Sequence, residues 1–190
     1  MKKIVSTATA LTLVLCASSA MAEPEFFVGA GLGNSKLSYK SSDTYFDETE
    51  TGSESDTLFY IRTGVSYERN ARLYGTLSTV GYDGGVDQLS LSGSVDKLFP
   101  MNDEMSFYLG GTLGFTSFDF DDDSESGLLV GGQGGFFYQA TPQVGVDVGV
   151  SYSITTVEAK GSGVILGETY TYKTEIKDVT IFRLGVDYKF

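Results

Sequence analysis

The most regular feature of the chain is an alternation of apolar and polar residues with a period of two. It is clearest in VGVDVGVSYSI, residues 144–154, where the even positions carry Val, Tyr or Ile and the odd positions Gly, Asp or Ser. A β-strand places successive side chains on opposite faces, so this pattern predicts a strand with one apolar and one polar face. No stretch has a convincing helical period, and the 24 glycines disfavour helix.

Eight alternating runs are predicted as strands. They lie near residues 25–39, 57–68, 72–82, 88–98, 106–118, 128–139, 144–156 and 176–190. Short connections with Asn or Pro alternate with longer ones, as expected of turns and loops. Two of the longer connections are acidic: 41–56 carries six acids and 119–127 carries five, with no base in either. We expect these two segments to be loops that face water.

Eight such strands fit two closed barrels that are inside-out versions of each other. A lipocalin-type barrel directs apolar side chains inward around a ligand, whereas a membrane barrel directs them towards lipid. The narrow interior of an eight-stranded barrel suits small and polar residues such as Gly145, Asp147 and Ser151. Short turns at one end and longer connections at the other are also typical of outer-membrane barrels. The sequence therefore predicts an all-β, eight-stranded antiparallel transmembrane β-barrel, an up-and-down meander.

The longest connection carries a further alternating run. TYTYKTEI, residues 169–176, has the strand period although all but its last residue lie in the connection 157–175. We expect it to form a hairpin that extends the barrel above the membrane. Such a hairpin would also offer a free edge to a partner strand.

The N-terminus indicates export. Two lysines precede an uncharged run, 4–17, and a small-x-small site at 20–22, which together describe a secretory signal peptide. We therefore predict a cleaved signal peptide, 1–22, and a barrel domain, 23–190. The only cysteine, Cys16, falls within the signal, so no disulfide is expected in the mature protein.

Composition excludes several functions. The net charge of −12 disfavours binding to nucleic acid, and the absence of histidine removes Ser-His and Cys-His nucleophile pairs and most zinc sites. The acidic 119–127 segment does not form a calcium-binding EF-hand loop, because Ser124 and Val130 stand where Gly and Glu are required. The sequence predicts no enzyme, no cofactor and no metal site.

Charged residues on the polar faces are predicted to point into the lumen and to pair there, since an unpaired buried charge is costly. They are Arg62, Glu68, Asp96, Asp147, Arg183, Asp187 and Lys189. We expect Arg62 and Arg183 in particular to pair with lumen carboxylates. These side chains would plug a barrel of only eight strands.

The last residues, RLGVDYKF, alternate to the end and carry aromatic rings suited to a membrane boundary. Here the chain resembles a known family. Arg183, Gly185, Tyr188 and Phe190 match the C-terminal signal read by the outer-membrane assembly machinery. The mature chain resembles the small eight-stranded porin-family barrels of the OmpX and opacity type, and also the OmpA membrane domain. The final strand is expected to close the barrel against the first.

The resemblance implies a location and a range of roles. It implies an integral protein of a Gram-negative outer membrane, a monomer surrounded by outer-membrane lipids and lipopolysaccharide. Its acidic extracellular loops would serve envelope integrity, adhesion or interaction with a host or surface ligand. A narrow pore for small solutes is the alternative, and a periplasmic lipocalin-like ligand-binding barrel is the third reading.

Overall fold

The computed structural model describes residues 24–43, 48–67, 70–82, 86–120, 123–165 and 168–190. The strands are β1 (Pro24–Asp43), β2 (Glu48–Tyr67), β3 (Ala71–Tyr82), β4 (Val86–Pro100), β5 (Met105–Phe120), β6 (Asp123–Gln139), β7 (Val144–Thr155), β8 (Glu158–Ile165) and β9 (Glu168–Lys189). Across these ranges, no helix is long and apolar enough to cross a membrane. The predicted signal peptide lies outside the described residues.

Every strand pairs antiparallel with its neighbours, and the sheet closes through β1 and β9. Phe27 faces Lys189 in this closing register, as the pattern of the final strand predicted. β7 and β8 both pair with the same edge of β9, one below and one above residues 156–157. They therefore act as one interrupted strand, and the predicted eight-stranded up-and-down barrel is confirmed.

The two faces of the sheet differ as the alternation predicts. Val148, Val150 and Tyr152 on β7 point outward and are about half exposed, whereas Asp147 and Ser151 point inward and are buried. The other strands repeat the arrangement, with exposed outer side chains that include Leu32, Phe59, Leu91, Phe115, Val130 and Phe182. Because the apolar face points outward, the lipocalin reading is wrong for this chain.

The acidic connections are not loops over most of their length, which corrects the prediction. β1 and β2 stay paired from Pro24↔Tyr67 to Asp43↔Glu48, and β5 and β6 stay paired up to Phe120↔Asp123. Ser and Thr alternate with the acids in ETETGSESDT, 48–57, and β-branched and hydroxyl residues tolerate extended backbone. A hairpin that is already in register therefore continues beyond the apolar band instead of opening.

The β1–β2 extension and the β8–β9 hairpin form a structure that we call the upper sheet. It consists of four neighbouring strand segments, in the order 48–57 of β2, 34–43 of β1, 168–178 of β9 and 158–165 of β8. β2 gains its β3 partner only at Leu58, so the 48–57 segment is an open edge. The hairpin predicted within residues 157–175 is confirmed as the β8–β9 part of this sheet.

Close packing at the closing seam depends on two facing glycines. Gly31 of β1 and Gly185 of β9 are register partners, and the ring of Tyr60 lies against both. A Cβ on Gly31 would stand 2.3 Å from the backbone oxygen of Leu184, and one on Gly185 would stand 2.1 Å from the Tyr60 hydroxyl. The absence of both side chains makes room for the aromatic ring inside a narrow lumen.

Candidate functional site in the barrel lumen

The centre of the lumen is an ion cluster of three arginines and three aspartates. Its members are Arg62, Arg72, Arg183, Asp96, Asp147 and Asp187. Asp147 is fully buried and contacts all three arginines: Arg62 at 3.4 Å, Arg72 at 3.1 Å and Arg183 at 3.5 Å. With equal numbers of each sign, this ion cluster is neutral as a whole.

Two further ion pairs of the cluster are shorter, and the contact between Arg72 and Asp187 is longer, at 3.6 Å. Arg62 donates through Nε to Asp187 Oδ1 at 2.8 Å and through Nη2 to Asp187 Oδ2 at 2.9 Å, a two-point contact. Arg72 Nη2 donates to Asp96 Oδ2 at 2.8 Å. Charge-assisted contacts of this length are the strong class of hydrogen bond and fix the geometry of both partners.

Neutral polar groups surround the ion cluster and form hydrogen bonds with several of its atoms. Asp96 accepts from the Tyr74 hydroxyl at 3.0 Å and from Gln133 Nε2 at 2.5 Å. Arg183 donates to Gln133 Oε1 at 3.0 Å and to the Tyr108 hydroxyl at 3.2 Å. β3, β4, β5, β6 and β9 are thus tied together across the lumen, so the network resists sliding of one strand past another.

The lower lumen is closed by aromatic packing. Leu98, Tyr108 and Phe137 form a buried cluster, and the Arg72 guanidinium lies 4.7 Å from the centre of the Tyr108 ring. At the lower rim, Lys189 Nζ donates to Glu25 Oε2 at 2.9 Å. The turns at 101–104 and 140–143 lie at this same end of the barrel.

The upper lumen is closed by a second, apolar group. We call it the apolar cap: Leu37, Leu58, Tyr60, Val80, Tyr82, Phe118, Val157, Ile176 and Val179. Beneath it, the Tyr82 hydroxyl donates to Gln88 Oε1 at 2.9 Å, and Gln88 donates to Ser90 and Thr116 at 3.0 Å. Apolar side chains therefore cover the polar interior on the side of the upper sheet.

A small cavity lies between the apolar cap and the ion cluster. Its volume is about 50 Å³, and its walls include Leu58 and Tyr60 above, and Arg62, Gln133 and Arg183 below. The rest of the wall is mainly hydroxyl groups, among them Ser90, Ser92, Ser94, Thr112, Ser151 and Ser153. At roughly 10–15 Å³ per water molecule, the space fits about four waters.

The structure brings five of the seven predicted lumen charges together in the ion cluster. Arg62, Asp96, Asp147 and Arg183 all point inward, and both arginines contact carboxylates. Glu68 lies outside the described residues. Asp187 joins the same cluster, and Lys189 lies at the lower rim.

Sequence reasoning missed Arg72, which is 2 % exposed and contacts three aspartates. The run 72–82 has apolar residues at both parities, so the alternation alone does not assign its faces. Two signals could have found this residue. Arg72 stands opposite Asp96 in the β3–β4 register, and it alternates with the outward Leu73.

The four residues of the C-terminal motif occupy both faces of β9. Arg183 and Gly185 face the lumen, whereas Tyr188 and Phe190 face outward with their rings 5.4 Å apart at 82°. The Phe190 backbone nitrogen donates to the Phe26 oxygen at 3.0 Å, which fastens the chain end to β1. Aromatic rings at this rim fit a membrane–water boundary.

The upper sheet carries charge pairs on its outer face. Lys173 and Lys177 each donate to Glu175, and Lys173 Nζ also lies 3.2 Å from Glu158. The hydrogen bonds from these two lysines lower the pKa of Glu175 to about 2. Glu175 therefore stays charged under all physiological conditions.

Nothing in the described part of the chain has the geometry of a catalytic or metal centre. No group of three or more His, Cys, Asp or Glu side chains within those ranges is placed to hold a metal ion. Within the described ranges, the arginines and aspartates of the lumen pair with one another.

No family model and no curated protein sequence matches the chain. Solved structures do. Neisserial surface protein A is 19% identical over 87% of this chain and 97% of its own, with a TM-score of 0.58. Outer membrane protein OprG from Pseudomonas aeruginosa is 14% identical over 89% and 97%, with a TM-score of 0.52. Outer membrane protein H (OprH) from the same organism, solved in DHPC micelles, is 21% identical over 87% and 99%, also at 0.52.

These likenesses agree in fold with the register and the faces described above. All three are small eight-stranded outer-membrane barrels, and the alignments cover nearly the whole of each. At such low identity the likeness establishes the fold and does not assign the role of any of these proteins to this chain. The chain has the fold of the small eight-stranded transmembrane barrels.

Proposed function

We propose that this protein is an integral outer-membrane protein of a Gram-negative bacterium whose sealed barrel anchors the upper sheet at the cell surface. Its role is structural and interactive: envelope integrity, adhesion or contact with a host or surface ligand. The observation that carries the proposal is that the lumen is filled at two levels, by the ion cluster and by the apolar cap. A barrel whose lumen is filled in this way is a suitable anchor for the upper sheet.

The proposed location has two sources of support. The N-terminal residues have the pattern of a cleaved signal, and an exported eight-stranded barrel with an outward apolar band requires a membrane to cover that band. Partners would include outer-membrane lipids and lipopolysaccharide. The assembly machinery would read Arg183, Gly185, Tyr188 and Phe190, as the resemblance of RLGVDYKF to the assembly signal implies.

The proposed role is not catalytic. The chain has no histidine, and the ionisable groups of the lumen neutralise each other. The display element also differs from the predicted acidic loops, because it is a sheet with defined faces. Strands present side chains at fixed spacing, so the upper sheet is better suited to a specific contact than a mobile loop would be.

The pore alternative is tested by conductance. We expect planar bilayers containing the folded protein to show no steady single-channel current, because the ion cluster and the apolar cap both fill the lumen and the cavity between them fits about four waters at roughly 10–15 Å³ each. A large porin measured in the same bilayers provides the positive control. Protein recovered from the bilayers should still migrate as the folded form in unheated SDS, which shows that it was inserted. Stepwise, reproducible channel openings would favour the pore over the sealed scaffold.

A further inference from the structure

The outer face of the upper sheet carries a row of lysines in a chain that is otherwise acidic. Lys36 and Lys40 lie on β1, and Lys173 and Lys177 lie on the neighbouring β9. The chain as a whole has 13 Lys and Arg against 25 Asp and Glu, and the three described arginines are all turned into the lumen. Of the described lysines whose side chains are not buried, four therefore share this face, and the fifth, Lys97, lies at the opposite end of the barrel. We call these four residues the lysine face.

The two lysines of β1 are free to bind a ligand. Lys36 and Lys40 are exposed, and among the described residues neither is within ion-pair distance of a carboxylate. On β9, Lys173 and Lys177 hold Glu175, which stands opposite Lys40 in the register. Glu175 is thus already engaged by the β9 lysines, and the β1 lysines remain available.

The height of the lysine face on the barrel identifies the chemistry it would meet. The outward apolar row of β1 ends at Leu32, and Phe182 of β9 stands at the next level, opposite Asn34. Lys36 follows four residues beyond Leu32, roughly 13 Å along the strand. With strands tilted by about 45°, that is roughly 9 Å above the apolar band, where lipid headgroups begin.

We propose that the lysine face binds the phosphate groups of a phosphorylated lipid of the outer leaflet, of the lipopolysaccharide type. This inference rests on the proposed function, since it needs the barrel to stand in the outer membrane. Lysine ammonium groups are point-charge partners for phosphate and attract anionic lipid headgroups when they lie next to a membrane surface. Lys36 meets the headgroup level, and Lys40 lies above it for phosphates further from the acyl chains.

A membrane lipid fits this face better than a soluble polyanion does. Directly below the lysines, the same part of the barrel presents Leu32, Phe59 and Phe182 to the acyl chains, each more than half exposed. A lipid therefore gains apolar contact and charge pairing together, whereas a soluble anion gains only the charge.

The test removes the two free lysines and compares them with a matched lysine elsewhere. Folded protein in zwitterionic micelles is titrated with bisphosphorylated lipid A, and bound lipid is counted by native mass spectrometry. We expect K36Q/K40Q to bind about tenfold more weakly than the unmodified protein. The K97Q control should bind within about twofold of it, because Lys97 is an exposed lysine of β4 at the opposite end of the barrel. Raising the salt concentration should weaken lipid A binding by the unmodified protein more than lipid A binding by K36Q/K40Q.

Two further ligands separate the sources of the phosphate. The unmodified protein should bind dephosphorylated lipid A no more tightly than K36Q/K40Q binds phosphorylated lipid A. The deacylated, phosphorylated sugar headgroup should bind much more weakly than intact lipid A. Equal affinity for the headgroup alone would overturn the lipid in favour of a soluble polyanion, and unchanged binding by K36Q/K40Q would remove the lysine face altogether.

The mobility of each variant in unheated SDS keeps this inference distinct from the proposed function. A chain that never forms the heat-sensitive folded band defeats the membrane proposal itself. A chain that folds normally but shows no preference for phosphorylated lipid A defeats only the lysine face.

Discussion

Replacing Asp147 with Asn is expected to lower the free energy of unfolding by about 3–5 kcal/mol. Asp147 is fully buried and contacts Arg62, Arg72 and Arg183, so its neutralisation leaves one uncompensated positive charge inside the barrel. The measurement is the urea midpoint of the protein folded in micelles, followed by circular dichroism and by the folded band in unheated SDS.

Two variants show whether this loss comes from charge. Ser151→Ala, on the same strand and also facing the lumen, should cost about 1 kcal/mol or less. Asp147→Asn combined with Arg72→Met restores neutrality, so the double variant should lose less stability than the two single variants added together. An unchanged midpoint in Asp147→Asn would show that the ion cluster contributes nothing to holding the strands together.

Replacing Val148 with Arg is expected to destabilise the inserted barrel by about 2–4 kcal/mol. Val148 points outward between Phe136 and Leu184 in the register and is 51% exposed, so the new charge would face the interior of the bilayer. The measurement is the urea midpoint after folding into phospholipid vesicles.

The control places the same arginine outside the apolar band. Ser55→Arg, on the exposed outer face of the upper sheet, should change the free energy of unfolding by less than about 0.5 kcal/mol. A Val148→Arg variant as stable as Ser55→Arg, together with a strongly destabilised Ser151→Ala, would mean that the faces of the barrel are assigned the wrong way round.

The fold was predictable because a membrane barrel repeats one simple pattern. Apolar residues at alternate positions, as in residues 144–154, specify both the strand and the face that meets lipid. The charges of the lumen followed from the same parity, since Asp147 and Arg183 fall on the polar faces of their strands. Pairing between them was then the expected way to offset the cost of burying charge.

Two features were not predictable from this pattern. The apolar cap places Leu58, Val80 and Phe118 inside the lumen, so the inner face is not polar throughout and the third run has apolar residues at both parities. The β1–β2 part of the upper sheet, residues 41–43 and 48–56, is built mainly from hydroxyl and acidic residues that resemble a solvated loop in composition. Its strands form because they continue hairpins whose register is already set by the apolar residues below them.

The central claim is that this chain forms a sealed barrel inserted in the outer membrane. The most direct test is its mobility in SDS gels, taken from the outer-membrane fraction and run unheated beside a boiled sample. The structure predicts a protein found in that fraction whose unheated band migrates differently from the boiled one, because the barrel closed by β1 and β9 resists the detergent. A protein recovered in soluble form from the periplasm, with one mobility under both conditions, would contradict it.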